Sequence, residues 1–170
     1  MPHGFAPDSD ESRWLLKALR EAAHELESQL WEADVQDQRR RTADDAWSLA
    51  EIAAHVRDRE QHFLRSLELI FAWDAARIPR FDGEALAMER DGRQLDMYEA
   101  LDHYTYLRHA SINLLWSADA AAWEKTGIHP YLGPVSVRRL AREQNEHDLE
   151  HLWQARRLRE TLANSAPATP

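Results

Sequence analysis

Two histidines, His147 and His151, sit four residues apart among carboxylates in the string NEHDLEHLWQ, residues 145–154. Residues at i and i+4 of a helix project from one face, about 6 Å apart along the axis, so two such imidazoles can grip one ion. With nine histidines in 170 residues, such a pair also arises readily by chance. Spacing alone slightly favours the plainer reading, two partly exposed histidines on a bundle helix.

Three metal chemistries compete with that reading. His147-Asp148-Leu149-Glu150-His151 has the H-x-x-E-H form of inverted zinc proteases. That site needs a distant downstream carboxylate, and only nineteen residues follow His151, so the match reads as accidental. A di-iron bundle needs two Glu-x-x-His motifs and two further inward glutamates. Glu21-Ala22-Ala23-His24 supplies one motif, but the region of His151 offers only Asp148-x-x-His151. The third chemistry is a mononuclear site completed by one imidazole from another helix. His55 and His62 are both candidates, but they are seven residues and about 10.5 Å apart along a helix axis, too far to share one ion. Spacing does not choose between them. Three neutral imidazoles with open positions suit Zn²⁺, Ni²⁺ or Fe²⁺.

The elements that must position these residues read as helices. Few glycines or β-branched runs interrupt the Ala, Leu, Glu and Arg, so the fold class is all-α. The first segment spans about Ser9 to Trp31 behind an Asp8/Ser9 cap, with Trp14, Leu15, Ala18, Leu19, Ala22, Leu26 and Leu30 at helical spacing. The second opens on the capping box Ser48-Leu49-Ala50-Glu51 and runs to about Trp73. A link follows, holding Pro79, two Asp-Gly pairs and one expected helical turn near Glu84 to Arg90. The third segment covers about Arg93 to Ala118. The string TGIHPYLGPVS is expected to be a loop, and the fourth helix then runs from near Ser136 to about Leu162. Four helices, each about 35–40 Å long, bury their apolar stripes together as a four-helix bundle. The long link permits a crossover that leaves the second and third helices parallel. One bundle domain is expected over residues 1–163, with a frayed tail over 164–170.

Composition narrows the partners. A net charge of −9 repels phosphate backbones, so no nucleic acid is expected, and the Arg39-Arg40-Arg41 and Arg156/Arg157/Arg159 runs read as a solvated turn and a helix C-terminus. The absence of cysteine excludes disulfides, thiolate ligands and cysteine nucleophiles. The start of the chain lacks a secretory pattern and no apolar run approaches the ~18 residues of a membrane span, so a cytoplasmic protein with no membrane partner is expected.

Two stretches carry a resemblance. WSLAEIAAHVRDRE, Trp47 to Glu60, resembles the second-helix signature of the DinB (damage-inducible) family of metal-binding four-helix bundles: a Trp-Ser pair, an amphipathic turn, then a His followed by acidic residues. LGPVSVRRLAREQNEHDLEHLWQARRL, Leu132 to Leu158, is similar to the family's fourth-helix region, where H-x-x-x-H precedes a Gln, here Gln154. The resemblance implies the crossover bundle and a divalent metal held by His55, His147 and His151, with His62 left as a pocket-lining or half-exposed histidine. Its relatives include thiol-dependent S-transferases and a mycothiol-dependent maleylpyruvate isomerase. These imply a metal-activated low-molecular-weight thiol, such as mycothiol or bacillithiol, acting on a small-molecule substrate, and a possible homodimer. The implied function is a metal-dependent enzyme of thiol transfer or hydrolysis. A non-catalytic metal-binding stress protein and a helical interaction module are the alternatives.

Around such ligands, Glu51 and Glu143, each one turn before a histidine, are candidate acceptors for the rings' outer N–H groups, and solvated helix carboxylates otherwise. Asp102, His103, Tyr106, His109 and Asn113 of the third helix are candidates to line the cavity. The seven tryptophans read as core and bundle-end packing, with Trp47 plugging the start of the second helix.

Overall fold

Ser48 caps the second helix as its string suggests. In a computed structural model, which describes residues 10–43, 46–91 and 94–165, the Ser48 hydroxyl accepts from the Glu51 N–H at 3.3 Å. The Glu51 carboxylate accepts from the Ser48 N–H at 2.8 Å, which closes the capping box. Ser136 and Asp96 cap two further helices through their side-chain oxygens, each satisfying backbone donors that a helix start leaves unpaired.

The long helices are α1 (Asp10–Trp31), α2 (Leu49–Ala72), α4 (Met97–Trp116) and α6 (Val137–Asn164), with short α3 (Gly83–Glu89) and α5 (Ala120–Glu124) between them. They build a four-helix bundle, and the all-α expectation holds apart from one hairpin. The Asp8/Ser9 cap and most of the expected tail lie outside the described residues, while Asn164 ends α6.

Two clusters of buried side chains fix the helix directions. One gathers Leu26 and Leu30 from the end of α1, Ile52 and Val56 from the start of α2, Leu101 from the start of α4, and Leu158 and Leu162 from the end of α6. The other joins Leu15 and Leu19, Phe63 and Leu67, Leu115 and Leu140 from the opposite ends. Thus α2 and α4 run parallel to each other and antiparallel to α1 and α6, and the link between α2 and α4 has to cross the length of the bundle. Each fully buried Leu or Ile contributes about 1.5–3 kcal/mol to this arrangement.

The string expected to be a loop contains a hairpin. β1 (Thr126–His129) pairs antiparallel with β2 (Gly133–Ser136), and Gly133 turns the chain at φ 72°, a region open to glycine at little cost. The crossover docks on it: Ile78 N–H donates to the Ile128 carbonyl at 3.0 Å, and Ile128 N–H donates to that of Ala76 at 2.8 Å. Strands of four residues are too short to show a period in sequence.

The tryptophans depart most from expectation. Trp123 is fully buried, whereas Trp14, Trp31, Trp73, Trp116 and Trp153 are exposed. Trp14 lies beside the apolar stripe of α1, Trp31 and Trp116 end their helices, Trp73 caps α2, and Trp153 sits on the outer face of α6. Among the described residues, no helix is long and apolar enough to cross a membrane.

Candidate metal centre

Antiparallel packing of α2 on α6 brings the start of one helix beside the later half of the other. His55, two turns beyond the Ser48 cap, therefore faces His147 and His151. One nitrogen from each ring falls within 4.8 Å of the others, and His55 Nε2 lies 2.9 Å from His147 Nε2. Tetrahedral bonds of about 2.0–2.1 Å to imidazole set ligand nitrogens about 3.3 Å apart, so small ring movements bring this pair to metal geometry. Gln154 Oε1 stands 2.7 Å from His151 Nδ1 and accepts its proton, which leaves Nε2 unprotonated and free to bind.

Burial sets the charge state of the cluster. Loss of water pushes the His55 pKa down to about 4 and lowers those of His147 and His151, and the mutual repulsion of the rings adds to the first two shifts. The rings stay neutral near pH 7, the form that ligates metal. His55 Nδ1 and His147 Nδ1 are buried without a hydrogen-bond partner. A set of three neutral nitrogens fits a borderline divalent cation and leaves coordination positions open.

Aromatic walls flank the rings. The indole of Trp47 lies parallel to the His151 ring, 6.0 Å between centroids, and tilts over His55 at 4.8 Å. Phe81, from the crossover, approaches His55 from another side at 6.2 Å. Gly83 follows at the first residue of α3, where a Cβ would come 2.6 Å from His55 Cε1, so nothing larger than glycine fits without moving the ring. The cavity that results has a volume of about 770 Å³, with Arg59, Glu84, Glu150 and Arg157 also in its lining.

Beneath the histidines lies a buried charge network. Arg108 Nη2 contacts Glu60 Oε2 at 2.5 Å and Asp148 Oδ2 at 2.8 Å, while its Nη1 donates to the Leu19 carbonyl at 2.7 Å. Ser111 Oγ donates to Glu60 at 2.6 Å, and Gln144 Nε2 donates to both carboxylates at 3.2 Å. Arg108 thereby links all three other long helices, and Asp148 directly follows His147 in the chain.

The remaining sequence candidates fall outside the cluster. His62 donates from Nε2 to the Pro79 carbonyl at 2.9 Å and packs on Phe81, which pins the crossover. Glu51 is engaged by Ser48 and Arg41, and Glu143 pairs with Arg139 at 2.7 Å, so neither holds a histidine. Asp102, His103, Tyr106, His109 and Asn113 are exposed and do not line the cavity, because α4 lies diagonally across from α6. His24 is exposed, so the Glu21–His24 motif does not face the bundle centre. Phe81, Gly83, Arg59 and the Glu60–Arg108–Asp148 network went unmarked in the sequence.

The sequence profile of the DinB superfamily matches residues 8–155. No curated protein matches the chain in sequence. Among solved structures, the fold is similar to that of YfiT from Bacillus subtilis, described as a probable metal-dependent hydrolase with an unusual four-helix bundle topology. The two are 15% identical, with a TM-score of 0.81 over 96% of this chain and 93% of that one.

Proposed function

The chain belongs to the DinB superfamily, and from that membership we propose that it is a metal-dependent enzyme whose divalent cation is held by His55, His147 and His151. The observation that carries this reading is the convergence of three imidazole nitrogens within 4.8 Å from two helices. When bound, such a cation supplies Lewis acidity to a water or thiol nucleophile at the positions the protein leaves open.

The chain's own residues do the rest. The histidines stay neutral through burial, and Gln154 fixes which nitrogen of His151 faces the site. No carboxylate belongs to the triad, so the full charge of the cation remains available to polarise a ligand. Trp47 and Phe81 narrow the approach of water. Hydrolysis is the reaction this arrangement supports best, in keeping with the description of YfiT. Transfer from a low-molecular-weight thiol is the second reading. The chain holds no cysteine, which permits this reading, since the co-substrate would then supply the nucleophilic thiol.

Elemental analysis of the purified protein tests the site, with about one divalent ion per chain expected and none in the His55→Ala variant. Turnover of ester, amide and thiol-acceptor panels, with and without chelator, then tests the activity. An ion retained without any turnover would leave a metal-binding protein and remove the enzyme.

A further inference from the structure

Arg59 lies one turn beyond His55 on α2, about 6 Å further along the axis and turned to nearly the same side. It lines the cavity that holds the three imidazoles. Its guanidinium carbon sits 5.5 Å from the centre of the Phe81 ring, which holds the planar fork from one face. Among the described residues it forms no ion pair or hydrogen bond, and its Nε is buried without a partner. Four nearby acids are engaged by other cations: Asp58 by Arg57 and Arg90, Glu60 and Asp148 by Arg108, and Glu143 by Arg139. A guanidinium drawn out of water without a direct partner is costly, and burial lowers its proton affinity against the opposing fields of Glu143, Asp148 and Glu60.

We propose that Arg59 is the substrate anchor of this site and takes a carboxylate. The geometry selects short-chain carboxylates that carry, a short spacer away, a second group able to reach the imidazole cluster. A planar fork beside a planar aromatic ring favours the planar, two-oxygen carboxylate, which can accept two parallel N–H bonds. Exposed Arg157, on the α6 side of the same cavity, adds positive field for an arriving anion. Glu84 and Glu150 in the lining repel anions that are not held by Arg59, which sharpens selection by position. The inference rests on the metal-centre reading for the reacting end of the substrate, while the anchor itself depends only on Arg59 and Phe81.

The test uses the full chain in two forms. Zinc-loaded protein is titrated calorimetrically with 3-mercaptopropionate and with its uncharged amide. The acid is expected to bind about tenfold or more tightly than the amide, and the preference is expected to collapse to within about threefold in Arg59→Met. In metal-free protein, the Arg59 Nε–H resonance, assigned by its loss in Arg59→Met, is expected to shift on adding propionate and to stay in place with propionamide. Equal binding of acid and amide by the wild-type protein overturns the proposal without any variant. A preference that survives in Arg59→Met, or a resonance that ignores propionate, overturns it as well. If the chain takes up no zinc, the metal-centre reading fails on its own, and the propionate titration still decides the role of Arg59.

Discussion

His55 Nε2 stands 2.9 Å from His147 Nε2, although the residues are 92 apart in the chain. Two neutral imidazole nitrogens at that distance repel through their lone pairs unless a proton or a cation lies between them. The expected outcome is that one divalent ion raises the melting temperature of the wild-type protein. At a hundredfold excess over Kd, linkage gives about 2.7 kcal/mol, or about 5–10 °C for a domain of this size. Differential scanning fluorimetry of His55→Ala, His147→Ala and His151→Ala checks this, and each variant should lose the metal-induced rise.

Gln154 acts one step behind the imidazole cluster. Its oxygen accepts from His151 Nδ1, so Gln154→Leu frees that ring to turn or to change tautomer. Metal affinity should fall about 10–100-fold while the helical circular dichroism is unchanged. Competition with a chromophoric chelator measures the loss. An affinity equal to wild type would remove the orienting role from Gln154.

Gly83→Ala tests the close approach of the crossover to the site. The added methyl must displace the His55 ring or push α3 away, since a Cβ there comes 2.6 Å from His55 Cε1. Gly83 is the first residue of α3, where alanine is no worse a helix former than glycine, so the helix itself loses nothing. The expected result is a folded protein with weakened metal binding, read by the same chelator competition. Loss of binding with retained melting temperature in the metal-free state separates this local effect from unfolding.

What could be read from the sequence follows how local each signal is. The helices, the Ser48–Glu51 box and the His147/His151 pair are set by spacings within one helix, and all are present. The choice of His55 over His62 needed the resemblance. Both lie on nearly the same face of α2, and only the packing shows that the latter meets Pro79 instead. Phe81 and Gly83 were invisible because the docking of a crossover is a tertiary fact. The Glu60 network did leave a trace. Glu60, Arg108 and Asp148 interrupt apolar stripes on three helices, between Val56 and Phe63, Tyr104 and Leu115, and Ala141 and Leu152. A charge on a core-facing position needs a partner in the core.

The pH dependence of metal-free stability follows from the buried rings. His55 has a folded-state pKa of about 4 against 6.5 ordinarily, so between these values the unfolded chain binds more protons. The contribution of His55 to stability therefore rises with pH across that window and is lost as the protein is acidified through it. His147 and His151, also lowered, act in the same direction. Asp148 opposes them, because burial raises its pKa from 3.8 to about 6, and it costs stability as it ionises with rising pH. Urea denaturation of wild type and His55→Asn from pH 4 to 7 isolates the first contribution. The variant should show the shallower rise, and parallel curves would refute the assignment.

Arg108 offers the sharpest test of the scaffold below the site. Its guanidinium is 4% exposed and is shared by the carboxylates of Glu60 and Asp148, both at 0%. Arg108→Met keeps much of the volume but leaves two acids facing each other out of water. Removing one partner of a buried ion pair costs about 3–5 kcal/mol, and the acids can recover part of that only by binding a proton. The variant should be destabilised by about that amount at pH 7 and by less at pH 5, the reverse of the trend that the histidines impose. Adding Glu60→Gln to Arg108→Met removes one of the two repelling charges and should restore part of the loss, since residues in one network do not act additively. Urea denaturation at the two pH values measures all three terms. Equal destabilisation at pH 5 and pH 7 would mean that Arg108 serves by packing against Tyr104, 5.4 Å from its ring centre, rather than by charge.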